Sequence, residues 1–267
     1  MKNRLLEKTK TAKKNRRKLF CAFLTLGYPS LKATEELILA FEKIGVDIIE
    51  LGIPFSDPLA DGPTIQYSSE YALSKGIKLE DAFKLVQKLR KRGCQIPIIC
   101  FTYLNPVYQY GVRHFPHQAK QSGFDGLIIP DLPPEAEKTL AQGCKKSGLS
   151  QIFLIAPTTD SKRVLSIDRK SQGFVYYVSL RGVTGARKSL AAQVRRDLKK
   201  IRSKVRQPLL VGFGVSSPVQ AKELSRLSQG VIVGSAIIDR IRRSGDKIKD
   251  VIPFIRQMVK AVKNGQG

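Results

Sequence analysis

The segment Val46-Asp-Ile-Ile-Glu-Leu-Gly-Ile53 belongs to the type of short apolar run that decides the fold of this chain. Its apolar character is nearly continuous rather than alternating, which is typical of a strand in a parallel sheet covered on both faces. The stretch that follows, Pro54-Phe-Ser-Asp-Pro-Leu-Ala-Asp-Gly-Pro63, is rich in turn-forming residues. The sequence therefore predicts a buried strand that ends in a stiff loop.

Similar runs recur along the chain and alternate with amphipathic segments. Residues 35–44 place Leu37, Phe41 and Ile44 on one helical stripe, and residues 79–90 repeat this spacing. The predicted strands are residues 19–25, 47–52, 96–102, 126–129, 151–155, 173–178, 208–212 and 230–233. Eight strand–helix units in 267 residues favour an α/β fold, a single (β/α)8 TIM-barrel domain over residues 1–267. We also expect a short extra helix in the basic N-terminal segment, residues 1–18.

The net charge of +25 raises the question of an anionic partner such as nucleic acid. The basic residues are spread along the chain, however, and no nucleic-acid-binding motif is present. Residues 195–202 are basic, but Val194, Leu198 and Ile201 have the spacing of a helix with one buried stripe and one solvated face. We therefore expect no nucleic-acid partner. No apolar stretch approaches the roughly 20 residues that cross a membrane.

The cysteines and histidines argue against a metal or redox site. Cys21, Cys94, Cys100 and Cys144 have no CxxC spacing and no neighbouring histidine, so we expect buried, reduced thiols and a cytoplasmic protein. The two histidines, residues 114 and 117, lie away from any predicted strand end. This position argues against a Ser-His-Asp triad and predicts surface histidines.

Two acidic residues near the opening segment are candidates for chemistry, because TIM-barrel active sites lie at the C-terminal ends of the strands. Glu50 lies within an apolar run, where ionisation is costly, so its pKa should rise and it can hold a proton near neutrality. A core glutamate paired with a basic side chain is the alternative. Asp57 and Asp61 lie in the next loop, and by position alone either could simply cap a turn.

Glycine clusters after the last three predicted strands indicate a phosphate site. They lie at residues 182–185, at Gly212 and Gly214, and at Gly234, which precedes Ser235 at the start of a predicted short helix. Glycine lets backbone N–H groups approach an anion, and a helix N-terminus adds a favourable dipole. Loops after strands seven and eight are the usual phosphate cradle of this barrel.

The stretch Glu50-Leu-Gly-Ile-Pro-Phe-Ser-Asp-Pro-Leu-Ala-Asp-Gly-Pro-Thr-Ile-Gln66 closely resembles the signature of tryptophan synthase α subunits. The resemblance implies reversible retro-aldol cleavage of indole-3-glycerol phosphate to indole and glyceraldehyde 3-phosphate, without a metal or cofactor in this chain. Other motifs of that family occur in order along nearly the whole chain: Phe23-Leu-Thr-Leu-Gly-Tyr-Pro29, Tyr103-Leu-Asn-Pro106, Gly126-Leu-Ile-Ile-Pro-Asp-Leu-Pro133, Gly182-Val-Thr-Gly185, Gly212-Phe-Gly-Val-Ser216 and Val233-Gly-Ser-Ala236.

The resemblance also implies roles for individual residues. Glu50 matches the family's acid/base, Asp61 the carboxylate that binds the indole N–H, and Tyr176 the tyrosine beside them. The implied indole-binding residues are Phe23, Phe101, Tyr103, Ile129, Thr184 and Phe213. The implied phosphate-binding residues are Gly185, Gly214, Gly234 and Ser235. Thr184 is further expected to lie in a loop that closes over the substrate.

By the same resemblance, the chain is expected to work with a pyridoxal-phosphate-dependent β subunit in an α2β2 assembly. That subunit receives indole through a tunnel, and Asp57, Pro58, Asn105 and Pro106 would face it. Three alternatives stay open from the residues alone: another phosphate-binding barrel enzyme, a non-catalytic activator of a partner, and a polyanion-binding protein. An aldolase that forms a Schiff base would need a lysine at a strand end, and none is evident.

Overall fold

Nine strands form the sheet in the computed structural model, which describes residues 3–178, 187–212 and 214–265. Hydrogen bonds join the strands in the order β5-β4-β3-β2-β1-β9-β8-β7-β6, and every pairing is parallel. The strands are β1 (Leu19–Thr25), β2 (Ile48–Gly52), β3 (Ile98–Phe101), β4 (Gly126–Ile128), β5 (Ser150–Ile152), β6 (Leu154–Ile155), β7 (Val175–Val178), β8 (Leu209–Gly212) and β9 (Gly230–Val233).

The sheet closes into a barrel through an interrupted strand. Only Phe153 separates β5 from β6, so the two segments occupy one strand position. Because β5 pairs with β4 whereas β6 pairs with β7, this position joins the two ends of the sheet. Eight strand positions in a ring are the predicted (β/α)8 barrel. The fold class is therefore confirmed, and each predicted strand run contains an observed strand.

Helices surround the barrel and connect its strands. The second helix begins at Leu31, earlier than residue 35, where the predicted amphipathic segment starts. Ser30 caps it, because its hydroxyl accepts a hydrogen bond from the Ala33 N–H at 3.0 Å. The helices are α1 (Arg4–Lys14), α2 (Leu31–Ile44), α3 (Pro63–Ser74), α4 (Leu79–Lys91), α5 (Leu104–Tyr110), α6 (Phe115–Ser122), α7 (Lys138–Ser147), α8 (Ser161–Lys170), α9 (Arg187–Arg202), α10 (Pro218–Leu227), α11 (Ser235–Arg243) and α12 (Val251–Lys263), with a 3-10 turn at Ile248–Asp250.

The surface and core agree with the sequence predictions. In α9, Leu198 and Ile201 are buried while Arg195 and Lys199 are exposed, so the basic run is the solvated face of a helix. The four cysteines are free and buried, and both histidines are exposed. Among the described helices, none combines the length and the apolar character needed to span a bilayer.

Helix α1 covers the N-terminal end of the barrel, as the predicted N-terminal helix should. The Asn3 side chain caps this helix by accepting from the Leu5 and Leu6 N–H groups, and its amide donates to the Asp125 carbonyl at 2.8 Å. Leu5 is completely buried. Its side chain packs so closely against Gly126 and Gly173 that a Cβ atom added at either glycine would lie 3.1 Å from it. The helix is thus fixed to the barrel by both polar and apolar contacts.

A buried carboxylate holds this end of the barrel together. Asp125 is fully buried and forms ion pairs with Arg90 at 2.9 Å and Arg4 at 3.3 Å. It also accepts a hydrogen bond from the Ile98 N–H at 3.2 Å, at the start of β3. Its carboxylate therefore connects α1, α4 and the strand that carries the site at its other end.

We expect Asp125→Asn to lower the free energy of unfolding by about 3–5 kcal/mol, because removing one partner of a buried ion pair leaves the other charge uncompensated. Urea unfolding followed by circular dichroism measures the loss. Glu135 is a matched control: it is half exposed and pairs with Arg163 and Lys170 at 3.6 and 3.7 Å. Glu135→Gln should cost less than about 1 kcal/mol. Equal losses in both variants would contradict this assignment.

Candidate active site

A cavity of about 330 Å³ opens at the C-terminal ends of the barrel strands. This is the end at which TIM barrels carry their active sites. Two carboxylic acids, Glu50 and Asp61, contribute to its wall. The remaining lining residues are Phe23, Ala60, Gly62, Pro63, Thr64, Ile65, Phe101, Pro130, Leu154, Tyr176, Val178, Gly214, Val215, Ile232, Gly234 and Ser235. The wall is thus mainly apolar, with acids on one side and a glycine-rich helix start on the other.

Glu50 lies in the middle of β2 with its side chain 1% exposed. Strand register places it beside Phe23 of β1 and Ile99 of β3. Neither carboxyl oxygen has a hydrogen-bond partner among the described residues. Burial raises the pKa of Glu50 to about 8, and the nearby Cys21 thiol opposes this rise only partly. The carboxyl group is therefore neutral at pH 7 and has a proton to donate.

Asp61 lies in the loop that follows β2, and its side chain is half-buried. Its backbone N–H donates to the Pro58 carbonyl at 2.9 Å, and the Gln66 side chain donates to its carbonyl at 2.8 Å. Burial raises the pKa of Asp61 to about 6, opposed by the Tyr103 hydroxyl. Asp61 is consequently mostly ionised at pH 7, whereas Glu50 is not.

Tyr103 holds the Asp61 loop in place. Its hydroxyl accepts a hydrogen bond from the Ala60 N–H at 3.1 Å, and its ring stacks on Phe55 with centroids 5.3 Å apart. The tyrosine is itself 3% exposed, so its ring is held firmly by the surrounding residues. This position fixes the backbone immediately before Asp61 relative to the end of β3.

An aromatic wall lies next to Glu50. Phe23 and Phe101 meet edge to face, with ring centroids 5.6 Å apart and planes at 89°. Tyr176 of β7 completes this wall, and burial together with the Glu50 carboxyl raises its pKa well above the ordinary value. The ring fits only because position 212 is glycine, since a Cβ there would lie 2.5 Å from Tyr176 Cε1. A flat aromatic substrate would fit against these rings.

The opposite side of the cavity presents backbone rather than side chains. Gly214 has a φ of +66°, a conformation that strongly favours glycine, and Gly234 is the residue before α11. Ser235 begins that helix, so its N-terminal N–H groups lie at the cavity, where an anion is favoured. The predicted Thr184, Gly185 and Phe213 lie outside the described residues.

Two predicted indole-binding residues are not in the cavity wall. Tyr103 and Ile129 are buried beside it, where they can border the indole slot, and Tyr103 also supports the Asp61 loop. The sequence reasoning missed Pro130, which follows Ile129, and several apolar lining residues. For Val178 and Ile232 a signal existed, since both lie near the C-terminal end of a predicted strand. The other lining residues that were not predicted are Ala60, Gly62, Pro63, Thr64, Ile65, Leu154 and Val215.

Comparison with known proteins identifies the family. The family model described as "Tryptophan synthase alpha chain" matches residues 9–266 of this chain. The chain belongs to the tryptophan synthase alpha chain family. A tryptophan synthase alpha chain of Geotalea daltonii is 44% identical over 252 residues, which cover 94% of each chain.

Solved structures agree with this assignment to the tryptophan synthase alpha chain family. A Legionella pneumophila tryptophan synthase alpha chain superimposes with a TM-score of 0.90 at 34% identity, covering 99% of this chain and 98% of that one. A chain from the aminoacrylate-bound tryptophan synthase of M. tuberculosis gives a TM-score of 0.86 at 30% identity, covering 98% and 100%.

The reaction follows from membership of the tryptophan synthase alpha chain family. The chain is a lyase of tryptophan biosynthesis that cleaves indole-3-glycerol phosphate to indole and glyceraldehyde 3-phosphate. The family uses no cofactor for this step, and pyridoxal phosphate belongs to the β subunit.

Gly52 allows Phe23 to lie in the cavity wall, which leads to a prediction for this tryptophan synthase alpha chain. A Cβ at Gly52 would meet the Phe23 ring, at 2.7 Å from Cε2. We expect Gly52→Ala to lower kcat/KM for indole formation by roughly 10²-fold, because a small displacement of a positioning group has effects of this size. In Gly148→Ala, at the end of α7 and outside the cavity wall, the added methyl meets nothing within 4 Å, so steady-state assays should show a much smaller loss. Equal losses would exclude the packing argument.

Proposed function

We propose that Glu50 is the proton donor and Asp61 the charge-stabilising carboxylate in the cleavage of indole-3-glycerol phosphate. The observation that carries this proposal is the buried Glu50 carboxyl, which faces the cavity without a hydrogen-bond partner among the described residues. An unpartnered buried carboxyl is costly for stability, and such a cost is tolerated at functional sites.

The proposed reaction begins with transfer of the Glu50 proton to C3 of the indole ring. Protonation there places a positive charge on the ring, delocalised to its nitrogen. Asp61, with its lower pKa, is ionised and accepts a hydrogen bond from the N–H that carries this charge. Two carboxyl groups with separated pKa values can thus take the acid role and the electrostatic role at the same pH.

In the second step, Glu50 takes the proton of the hydroxyl group on the carbon attached to C3. The oxygen forms a carbonyl, the bond between that carbon and C3 breaks, and its electron pair neutralises the ring cation. Indole and glyceraldehyde 3-phosphate result, and Glu50 regains the proton that it gave up. One group therefore acts first as an acid and then as a base, so no net proton is consumed.

The other site residues bind and orient the substrate in this proposal. The indole ring lies against Phe23, Phe101 and Tyr176, and the phosphate accepts hydrogen bonds at the α11 N-terminus, beside Gly234 and Ser235. Gly214 lies in the same wall, where its positive φ turns the chain toward the phosphate. Holding both ends of the substrate leaves C3 facing Glu50.

The proposal predicts a bell-shaped dependence of kcat/KM on pH, with limbs near the raised pKa values of the two acids. The value of kcat/KM should rise as the pH increases through about 6, because Asp61 ionises. It should fall as the pH increases through about 8, because Glu50 loses its proton. Steady-state indole formation across this range tests it. In Asp61→Asn the acid limb should disappear while the alkaline limb stays. A profile that is flat from pH 5 to pH 9 would contradict the assignment of roles.

We also propose that the surface beside the Asp61 loop binds the β subunit. Asp57 and Asn105 are exposed, with half-buried Pro58 and Pro106 beside them. The stacking of Phe55 on Tyr103 brings the two loops together. Leu59 and Tyr108 lie on the same two segments and are 92% and 51% exposed, so they would bury apolar area on association. A change in the partner could reach Asp61 through this loop.

The expected compartment remains the cytoplasm, and the expected organisation one catalytic domain. Support for the compartment comes from the four buried, free thiols, since reducing conditions keep such cysteines unpaired. Most buried apolar residues form one large cluster, a smaller one packs α8 and α9 against β7 and β8, and a single closed sheet runs through both, which supports one domain. Analytical ultracentrifugation with the β subunit would test the α2β2 assembly.

A further inference from the structure

A second polar cleft lies at the end of the barrel opposite the active site. Its volume is about 410 Å³. Pro208 and Gln229, which line it, directly precede β8 and β9, so the cleft lies at the N-terminal ends of these strands. The other lining residues come from α1 and from the segment that begins at the end of α9: Lys13, Arg202, Val205, Arg206 and Gln207.

The cations at and beside this cleft form no ion pair with an acidic side chain among the residues that the structure describes. The Lys13 ammonium donates to the Arg206 carbonyl at 2.9 Å, and the Lys18 ammonium donates to the Ser228 carbonyl at 2.8 Å. Neither lysine, nor Arg202 or the Arg206 guanidinium, forms an ion pair with a carboxylate in the described part of the chain. Backbone carbonyls satisfy some of their donors but cannot neutralise their charge.

This lack of counter-charge contrasts with the neighbouring groups. Lys8 and Arg17, also at this end of the barrel, both pair with the buried Asp47, at 4.0 and 2.6 Å. At the cleft, by contrast, two cations repel each other. The pKa of Lys18 is lowered, first by burial and then by the Arg202 guanidinium. A bound anion would remove that repulsion.

The backbone that carries the cleft is fixed before any ligand binds. Asp168 is 5% exposed, and its carboxylate accepts hydrogen bonds from the Arg206 and Gln207 N–H groups at 3.0 and 2.9 Å. Because both bonds go to backbone groups, the Arg206 guanidinium keeps its donors for a ligand. A preorganised backbone lowers the entropic cost of binding.

We propose that this cleft binds a small multivalent phosphate anion between Lys13, Arg202 and Arg206, with the Lys18 charge beside it. Guanidinium groups can bind phosphate oxygens in a bidentate manner, and lysine ammonium groups add point charges. The site is separate from the substrate's phosphate position, which lies at the other end of the barrel. The proposal therefore does not depend on the roles of Glu50 and Asp61.

Isothermal titration of the full-length chain with inorganic pyrophosphate tests the proposal. We expect saturable binding that Arg202→Gln and Arg206→Gln each weaken roughly tenfold or more, because each removes a charge-assisted hydrogen-bond donor. Arg113→Gln is the charge-matched control, since Arg113 is exposed in the turn before α6, away from the cleft. It should change the dissociation constant less than twofold. Indole formation by Arg202→Gln should equal that of the wild type.

A short DNA duplex provides the second arm of the test. A general effect of net charge would weaken duplex binding equally in Arg113→Gln and Arg202→Gln. If Arg202→Gln also showed no specific loss of pyrophosphate binding, the proposal would be overturned. Lys13→Gln gives an independent check on a different element and should weaken pyrophosphate binding in the same way. Unchanged pyrophosphate binding in all three cleft variants would also overturn it.

Discussion

Glu50→Gln is expected to lower kcat for indole formation by about 10³-fold, within the range of 10² to 10⁴ that one general acid–base group contributes. Glutamine has nearly the size of the neutral carboxyl group but cannot transfer its proton to C3. The loss should appear in kcat rather than in KM, because the apolar wall and the phosphate end still bind the substrate. Single-turnover measurement of indole release, with the β subunit present, isolates this step.

The stability of this variant provides its control. Burial raises the pKa of Glu50 to about 8, so the folded wild type binds more protons than the unfolded chain between the ordinary pKa and 8. The contribution of this group to stability therefore falls as pH rises through that window. Glu50→Gln buries no charge at this position at any pH, so it should be at least as stable as the wild type at pH 9. Glu70→Gln, an exposed change on α3, should leave activity unaltered. A folded Glu50→Gln enzyme with near-normal turnover would refute the acid role.

Asp61→Asn should lower kcat/KM by about 10²-fold, the loss typical of removing one group that stabilises developing charge. Asparagine can still accept a hydrogen bond from the indole N–H but cannot offset the positive charge on the protonated ring. The variant should bind the neutral product indole nearly as well as the wild type, since only the charged state is affected. Comparing the inhibition constant of indole with kcat/KM separates the two effects.

Asp57→Asn is the matched control for this substitution. Asp57 lies four residues earlier in the same loop, and its side chain is exposed and accepts a hydrogen bond from Ser56 at 2.7 Å. In the isolated chain, Asp57→Asn should retain most of the activity. Equal losses for both substitutions would show that the loop conformation, rather than the Asp61 charge, sets the rate.

The barrel and the identity of Glu50 could be predicted from the sequence for clear physical reasons. A strand covered on both faces must be apolar along its whole length, which makes runs such as β1 and β2 visible. A carboxylic acid inside such a run stands out, because burial without function is costly. The start of α11 was visible for a similar reason, since Gly234 and Ser235 follow the last apolar run.

Other parts of the site could not be predicted, because they depend on contacts between distant segments. Asp61 alone resembled a turn residue, and only the surrounding motif distinguished it. Tyr103 was expected to form or border the indole slot, and its hydroxyl accepts a hydrogen bond from the Ala60 N–H in the loop after the neighbouring strand, a contact that no local pattern shows. Pro130 lines the cavity just beyond the end of β4, and Leu154 lines it at the start of β6, after the interruption at Phe153. The unpaired cations near Arg202 likewise became recognisable only once the positions of the acidic groups were known.

The proposed mechanism requires that the Glu50 carboxyl is protonated at neutral pH in the free enzyme. Carbon-13 NMR of enzyme labelled at the glutamate carboxyl carbons, with Glu50→Gln identifying the resonance, measures its titration directly. We predict a midpoint at about 8. A midpoint near the ordinary glutamate value of about 4.3 would contradict the mechanism, since Glu50 would then have no proton to give to C3 at neutral pH.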